Sequence, residues 1–216
     1  MYIYIINASI MIVNFMMRPN ATYGKVKNIF IFTKSLIMPL IGAIYYFGTK
    51  KVAVSVMLYV FGHWFGDLIL LSDSNLAVNF GGLSFAIGHF AIIHAFNVDW
   101  SNFTFGAFVL AVPFIVAQQY KIVKYSSFKT VFGWCLFIYC CFLDYSLLGV
   151  SCRVGQLGFI NKSFLLGYFG YITFMASDFI LISTILGIAK GLCRIEILGT
   201  YMLAQLLLIN AILAQI

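Results

Sequence analysis

The sequence is a succession of apolar runs of about 16 to 25 residues, separated by short interruptions rich in charged residues, Gly, Asn and Ser. A bilayer hydrocarbon core about 30 Å thick is crossed by about 20 helical residues, which is the length of these runs. Hydrophobic residues make up 63% of the chain and charged residues 9%, too few to cover the surface of a soluble protein of this size. The sequence therefore predicts an all-α, multi-pass integral membrane protein and excludes soluble enzymes and coiled coils.

Cutting the chain at these interruptions predicts one membrane domain over residues 1–216 with eight transmembrane spans. The predicted spans are residues 2–17, 27–47, 52–71, 79–97, 103–120, 129–148, 163–187 and 195–215.

The basic residues are dispersed among the connectors between the spans, although the net charge is +7. Phosphate binding needs clustered Lys and Arg, so no nucleic-acid partner is predicted; attraction to membrane lipids explains their placement. The odd-numbered connectors hold Arg18, Lys25, Lys27, Lys121, Lys124, Lys129, Lys190 and Arg194, whereas the even-numbered ones hold Lys50, Lys51, Arg153 and Lys162. This bias predicts that the odd connectors are cytoplasmic and that both termini lie on the opposite side.

Five polar residues fall within the apolar spans at similar depths: Lys34, Asp67, His89, Asp178 and Gln205. Counting along each helix places them roughly 6 to 15 Å from the odd-connector side of the membrane. A charged side chain near the bilayer centre costs roughly 3 kcal/mol, so an aspartate there needs a partner or a proton. Two aspartates at compatible depths indicate a functional site in this half of the membrane.

Structural roles are the alternative for several of these side chains. Lys34 is near enough to the interface to snorkel, and an amide such as Gln205 often links helices in lipid. His63 precedes Asp67 by four residues, a spacing that favours a contact on one helix face. Asp144 lies nearer the opposite surface and is interpreted as a separate feature.

Motifs for metal, phosphate or serine-hydrolase chemistry are missing from the sequence. There is no HExxH, no His/Cys cluster at ligand spacing, no GxSxG and no Gly-rich phosphate loop, so no metal site is predicted. The small-residue spacings Gly62-x-x-x-Gly66 and Gly187-x-x-x-Gly191 predict close helix packing.

Five short motifs occur in an order that resembles the YhhN-type family of integral-membrane lysoplasmalogenases. They are Lys34 followed by an apolar stretch containing Pro39, a Gly66-Asp67 pair closing the third span, a Gly-rich fourth span with His89, Phe174-x-x-Ser177-Asp178, and Tyr201-x-x-Ala204-Gln205. The resemblance covers nearly the whole chain. Two positions depart from the family pattern: Ser35 stands where a proline is usual, and Ile92 where a tyrosine is usual.

The resemblance implies hydrolysis of the sn-1 vinyl ether bond of a lysoplasmalogen, a lysophospholipid, to a fatty aldehyde and glycerophosphoethanolamine or glycerophosphocholine. It implies Asp67 and Asp178 as the acid and base, in an order that sequence leaves open. Two neighbouring carboxyl groups in a medium of low dielectric suit such chemistry, because both do not ionise easily. Substrate-binding or orienting roles are expected for five residues: Lys34, His89, Ser177, Tyr201 and Gln205. No cofactor is required.

A membrane transporter or lipid-binding protein that uses Asp67 and Asp178 as a proton relay is the alternative function. A transporter of this kind predicts internal repeats with broken helices in matched halves. Pro39 and Pro113 do not form a matched pair, and the sequence contains no convincing repeat.

Overall fold

A computed structural model describes residues 2–17, 24–72, 74–188 and 194–216, and these residues form an all-helical bundle. Its eight α-helices are α1 (Tyr2–Met17), α2 (Gly24–Thr49), α3 (Val54–Ile69), α4 (Asn75–Ala95), α5 (Phe105–Tyr125), α6 (Val131–Leu157), α7 (Lys162–Ile185) and α8 (Arg194–Leu213). A short 3₁₀ helix, Trp100–Asn102, lies in the connector between α4 and α5. The predicted fold class and the number of helices are confirmed.

Six of these helices, namely α2 and α4 to α8, are long and apolar enough to cross a membrane. The other two, α1 and α3, contain 16 residues each. A 16-residue helix is about 24 Å long, somewhat less than the hydrocarbon thickness. Helices adjacent in sequence pack as the pairs α1–α2, α3–α4, α5–α6 and α7–α8, and α4 packs on α6. The largest buried apolar cluster lies between these pairs.

Helices α3 and α4 approach each other closely through glycine. A Cβ atom built on Gly62 would lie 2.7 Å from the backbone nitrogen of Gly88 and 2.8 Å from the carbonyl oxygen of Ser84. The Ser84 hydroxyl also donates a hydrogen bond to the Gly62 carbonyl, at 2.7 Å. The predicted close packing at Gly62 and Gly66 is therefore confirmed, and it fixes the position of Asp67 against α4.

The close packing predicted at Gly187 is wrong. Gly187 follows the end of α7 with φ +68°, and no atom of the described residues, its chain neighbours aside, lies within 4 Å of its added Cβ position. The Ile188 amide donates to the Ser183 carbonyl at 2.9 Å, as in a helix that ends in a left-handed residue. Gly187 therefore terminates α7, and Gly191 lies outside the described residues.

Helices α5 and α6 extend beyond their predicted ends, because two basic residues assigned to connectors lie inside the bundle. Lys121 is buried on α5, where its ammonium donates to the Ser183 hydroxyl and to the Phe179 carbonyl. Arg153 is 1% exposed on α6 and donates to the Ser163 hydroxyl at 2.8 Å. Hydrogen-bond acceptors on α7 therefore allow both helices to continue past a charge that sequence alone places at the surface.

Helix α2 continues without interruption through Ser35 and Pro39. A proline has no amide hydrogen, so Pro39 leaves the carbonyl of Ser35, four residues earlier, without its usual helical donor. The indole nitrogen of Trp64 on α3 donates to this carbonyl at 2.8 Å. This bond joins α2 to α3 next to Lys34 and one turn from Asp67.

Candidate active site

A cavity of about 350 Å³ opens at the end of the bundle where the odd-numbered connectors lie. Its walls come from α2, α3, α4, α6, α7 and α8. The site depends on polar and aromatic lining residues: Lys34, Asp67, Phe85, Cys135, Tyr139, Phe174, Ser177, Asp178 and Tyr201. Ser72 from the connector after α3, and Asn75 and Asn79 from the first turns of α4, also line the cavity. The cavity therefore brings both predicted catalytic aspartates into one space.

Asp67 lies near the C-terminal end of α3 and is held by a cation and a phenol. Its Oδ1 atom is 3.3 Å from the ammonium of Lys34, and its Oδ2 accepts a hydrogen bond of 2.7 Å from the Tyr201 hydroxyl. The Lys34 ammonium also lies 3.4 Å from the backbone carbonyl of Asp67. Lys34 is thus directed into the bundle and does not snorkel to the interface.

Asp178 on α7 has a different environment. Its Oδ2 atom accepts a hydrogen bond from the Tyr139 hydroxyl on α6, which is a neutral donor. No Lys, Arg or His nitrogen of the described residues forms an ion pair with Asp178 within 4.0 Å. The two carboxyl groups therefore have unequal surroundings, one with a cation and one without.

Ser177 and Tyr201 also line the cavity, but their hydroxyl groups already have protein partners. The Ser177 hydroxyl donates to the Ile197 carbonyl at 2.9 Å and so joins α7 to α8. The Tyr201 hydroxyl donates to Asp67. Both side chains therefore shape the wall, and Tyr201 also holds the carboxylate of Asp67.

His89 and Gln205 lie in a fully buried layer adjacent to the cavity and are not among its lining residues. Nδ1 of His89 is 2.6 Å from the Tyr171 hydroxyl, and Oε1 of Gln205 accepts from the Tyr59 hydroxyl. Contact of these two residues with a substrate in the cavity would require movement of the side chains between them.

His63 belongs to the same buried layer. Its spacing from Asp67 suggests a contact between the two, but His63 contacts Tyr59 and His89 instead. Its Nδ1 atom lies 2.9 Å from the Tyr59 carbonyl, one turn earlier on α3. Its ring packs edge-to-face against the ring of His89, with centroids 4.9 Å apart.

Asp144 lies apart from the cavity and accepts a hydrogen bond from Gln119 on α5. It does not pair with Arg153, whose guanidinium donates to Ser163. Among the described residues, no group of three or more His, Cys, Asp or Glu side chains is placed to share a metal ion.

Tyr139, Tyr59 and Tyr171 are polar partners that the sequence analysis did not identify. Each is a hydroxyl within an apolar span, and the chain contains 13 tyrosines. Ile92, the position where a tyrosine is usual, is fully buried in the main apolar cluster. The hydroxyl near His89 comes instead from Tyr171 on α7.

The order of the five motifs agrees with a comparison against known families. A family model described as the YhhN family matches residues 29–212. The chain belongs to the YhhN family. The YhhN match includes all five motifs and leaves out the whole of α1. No curated protein and no solved structure matches the chain.

Proposed function

We propose that this YhhN protein is a membrane-embedded hydrolase that cleaves the sn-1 vinyl ether bond of lysoplasmalogens. Membership of the family supports this proposal, as does a cavity with two carboxyl groups reached from one membrane surface. The single observation that carries it is the unequal environment of the two aspartates. Asp67 is paired with the Lys34 cation, whereas the hydrogen-bond partner of Asp178 is a neutral phenol.

This difference supports one order of acid and base. A neighbouring cation favours the ionised form of a carboxyl group, and burial without a cation favours the protonated form. Asp67 is then the carboxylate and Asp178 the carboxylic acid at neutral pH. Cleavage of a vinyl ether by water needs one group of each kind.

The first step is proton transfer from Asp178 to the vinyl carbon farther from the ether oxygen. The π electrons of the double bond form the new C–H bond, and the carbon attached to oxygen becomes an oxocarbenium ion. The Asp67 carboxylate, and the carboxylate that Asp178 has become, supply negative charge near this cation.

Water then attacks the oxocarbenium carbon while Asp67 takes one of its protons, which gives a hemiacetal. The hemiacetal collapses when its bond to the glycerol oxygen breaks. Asp67 protonates that oxygen, and the hemiacetal hydroxyl returns its proton to Asp178. The products are a fatty aldehyde and a glycerophospho-alcohol, and both carboxyl groups regain their initial states without a cofactor.

The location of the cavity suits a lipid with one chain. The tail can lie among the apolar side chains of α4, α6 and α7 while the headgroup stays near Ser72 and Asn75 at the interface. The sn-1 ether oxygen of such a lipid lies just below the interface, which is the depth of Asp67 and Asp178.

Purified protein in detergent tests this function with three lipids that share a headgroup and chain length. We expect aldehyde from the lysoplasmalogen and no reaction of the saturated alkyl-ether lipid, which lacks a carbon basic enough to accept the proton. Fatty acid released at a comparable rate from the acyl lysophospholipid would identify an esterase and contradict the proposal.

The negative control is the double variant Asp67→Asn/Asp178→Asn, prepared in parallel. It retains the size of both side chains and removes both titrating groups. Aldehyde release by this variant at the rate of the unmodified protein would show that the activity arises elsewhere. A diacyl plasmalogen is expected to react more slowly, because a second chain must fit beside the first.

A further inference from the structure

Three buried nitrogen atoms next to the cavity have no hydrogen-bond partner among the described residues. They are Nε2 of His63, Nε2 of His89 and Nε2 of Gln205, contributed by α3, α4 and α8. All three side chains are 0% exposed. A buried polar group left unpaired loses its hydrogen bonds to water without compensation, which destabilises the fold. Three unpaired groups in one layer therefore indicate a ligand with hydrogen-bonding capacity.

The other contacts of these side chains define what that ligand must donate and accept. Nδ1 of His63 lies against a backbone carbonyl, which only accepts, so the hydrogen of a neutral His63 is on Nδ1 and its Nε2 is an acceptor. The amide oxygen of Gln205 accepts from the Tyr59 hydroxyl, so its Nε2 offers two donors. Water both donates and accepts, and a buried water typically makes about three hydrogen bonds.

The three nitrogens belong to one contiguous cluster. The rings of His63 and His89 are 4.9 Å apart, and the Tyr59 ring, whose hydroxyl contacts Gln205, is 4.7 Å from the His63 ring. Phe85, Tyr139 and Phe174 line the cavity and also contact this cluster, and Phe174 contacts both histidine rings. The ring centroid of Phe174 is 4.6 Å from that of His89 and 5.5 Å from that of His63.

We propose that His63, His89 and Gln205 form a binding site for one or two water molecules, and that this site supplies the water consumed in the cavity. The second part rests on the proposed hydrolase function, because hydrolysis at this depth needs water where bulk water is scarce. The first part is independent of it. Rotation of the Phe174 side chain is the step that connects the two spaces.

A double-mutant cycle tests the shared water without reference to activity. Gln205→Leu and His63→Phe each remove one polar group, and thermal unfolding in detergent measures the loss of stability. If both groups hold the same water, the double variant loses little more than the less stable single variant. Additive losses would overturn the shared site.

The matched control is Gln118→Leu, which removes another buried amide, on α5 and beside Cys140 of α6. Combined with His63→Phe it is expected to give additive losses. Because His63→Phe alters a tightly packed position, an experimental structure of the unmodified protein that resolves ordered water gives a second test. Density within hydrogen-bond distance of the three nitrogens supports the site, and a dry cluster overturns it.

Steady-state kinetics test whether this site supplies the water consumed in the cavity or only binds water. Gln205→Leu is expected to lower kcat about tenfold or more while KM for the lysoplasmalogen stays near its original value. Unchanged kcat in an active preparation would overturn the supply role. If the unmodified protein hydrolyses none of the lipids, the hydrolase proposal fails, and the stability cycle still decides whether the site exists.

Discussion

The ammonium of Lys34 lies 3.3 Å from Oδ1 of Asp67, and both side chains are buried. The two residues are on neighbouring helices, α2 and α3, which are also joined by the bond from Trp64 to Ser35. A cation beside a buried carboxyl group favours the charged form of that group. The pair therefore sets the chemical difference between the two carboxyl groups of the cavity.

Removing one partner of this ion pair is expected to destabilise the protein more than removing both. Lys34→Met leaves a buried carboxylate without its cation, at a cost of about 3–5 kcal/mol in typical buried pairs. Lys34→Met combined with Asp67→Asn should recover much of that loss, without recovering hydrolysis. Unfolding temperatures in detergent measure the first effect and aldehyde release the second. A double variant less stable than Lys34→Met would contradict the pairing.

Replacement of either cavity aspartate by Asn is expected to lower turnover by at least about 10²-fold, the low end for general acid or base catalysis. Since both groups act in one reaction, the double variant should lose little more than the worse single variant. Asp144→Asn is the control, because Asp144 lies outside the cavity and contacts Gln119. An inactive Asp144→Asn beside active Asp67→Asn and Asp178→Asn would place the site in the other half of the bundle.

Tyr139→Phe is expected to reduce kcat, since it removes the donor that orients Asp178. A hydrogen bond to a charged group contributes about 1.5–3 kcal/mol, so a loss of about tenfold to 10²-fold is expected if the bond strengthens when Asp178 gives up its proton. Tyr168→Phe is the matched control on α7, because its hydroxyl donates to the Leu110 carbonyl, away from the cavity. Equal effects of the two substitutions on kcat would indicate a structural role for Tyr139.

Cys135 lines the cavity near its mouth and reports access to it. In a variant with Cys135 as its sole cysteine, we expect labelling by a membrane-impermeant maleimide and protection by the unreactive alkyl-ether lipid. A variant that retains Cys140 alone should remain unlabelled, because that side chain is 0% exposed. The charge bias of the connectors predicts labelling from the cytoplasmic face. Labelling from the opposite face alone would reverse the proposed orientation.

Gly62→Ala is expected to destabilise the protein, because the new methyl group would meet backbone atoms of Gly88 and Ser84 that no rotamer change can move. Overpacking of this kind costs about 1–3 kcal/mol. Gly42→Ala on α2 is the control, since its nearest neighbour would be a Val60 methyl at 3.4 Å. Unfolding temperatures compare the two variants. A Gly62→Ala protein as stable as Gly42→Ala would show that α3 and α4 separate at little cost.

Depth along a helix could be predicted from the sequence, whereas rotation about the helix axis could not. Counting residues along the helices predicts similar depths for Lys34, Asp67 and Asp178, and all three line the cavity. His89 and Gln205 have the same depth but face the neighbouring buried layer. The direction of a side chain depends on which helices surround it, and an apolar span with little amphipathic pattern carries little information on this.

The C-terminal ends of α5 and α6 could not be predicted from the sequence either, because they depend on contacts with another helix. The sequence predicts Lys121 and Arg153 at the membrane surface, because a cation in lipid is costly. Their acceptors, Ser183 and Ser163, are on α7 and are distant in sequence. Tyr139 was missed for a related reason, since only its contact with Asp178 distinguishes it from the other tyrosines.

The shortness of α3 has a consequence for the lipid around the protein. The helix ends at Ile69, two residues after Asp67, so its 16 residues span about 24 Å of a hydrocarbon layer about 30 Å thick. A bilayer adapts to a short helix by thinning locally. Thinning of this kind would draw headgroups and interfacial water down beside the cavity mouth. The proposed one-chain substrate would then reach Asp67 by sideways diffusion within its own leaflet, with its headgroup hydrated throughout.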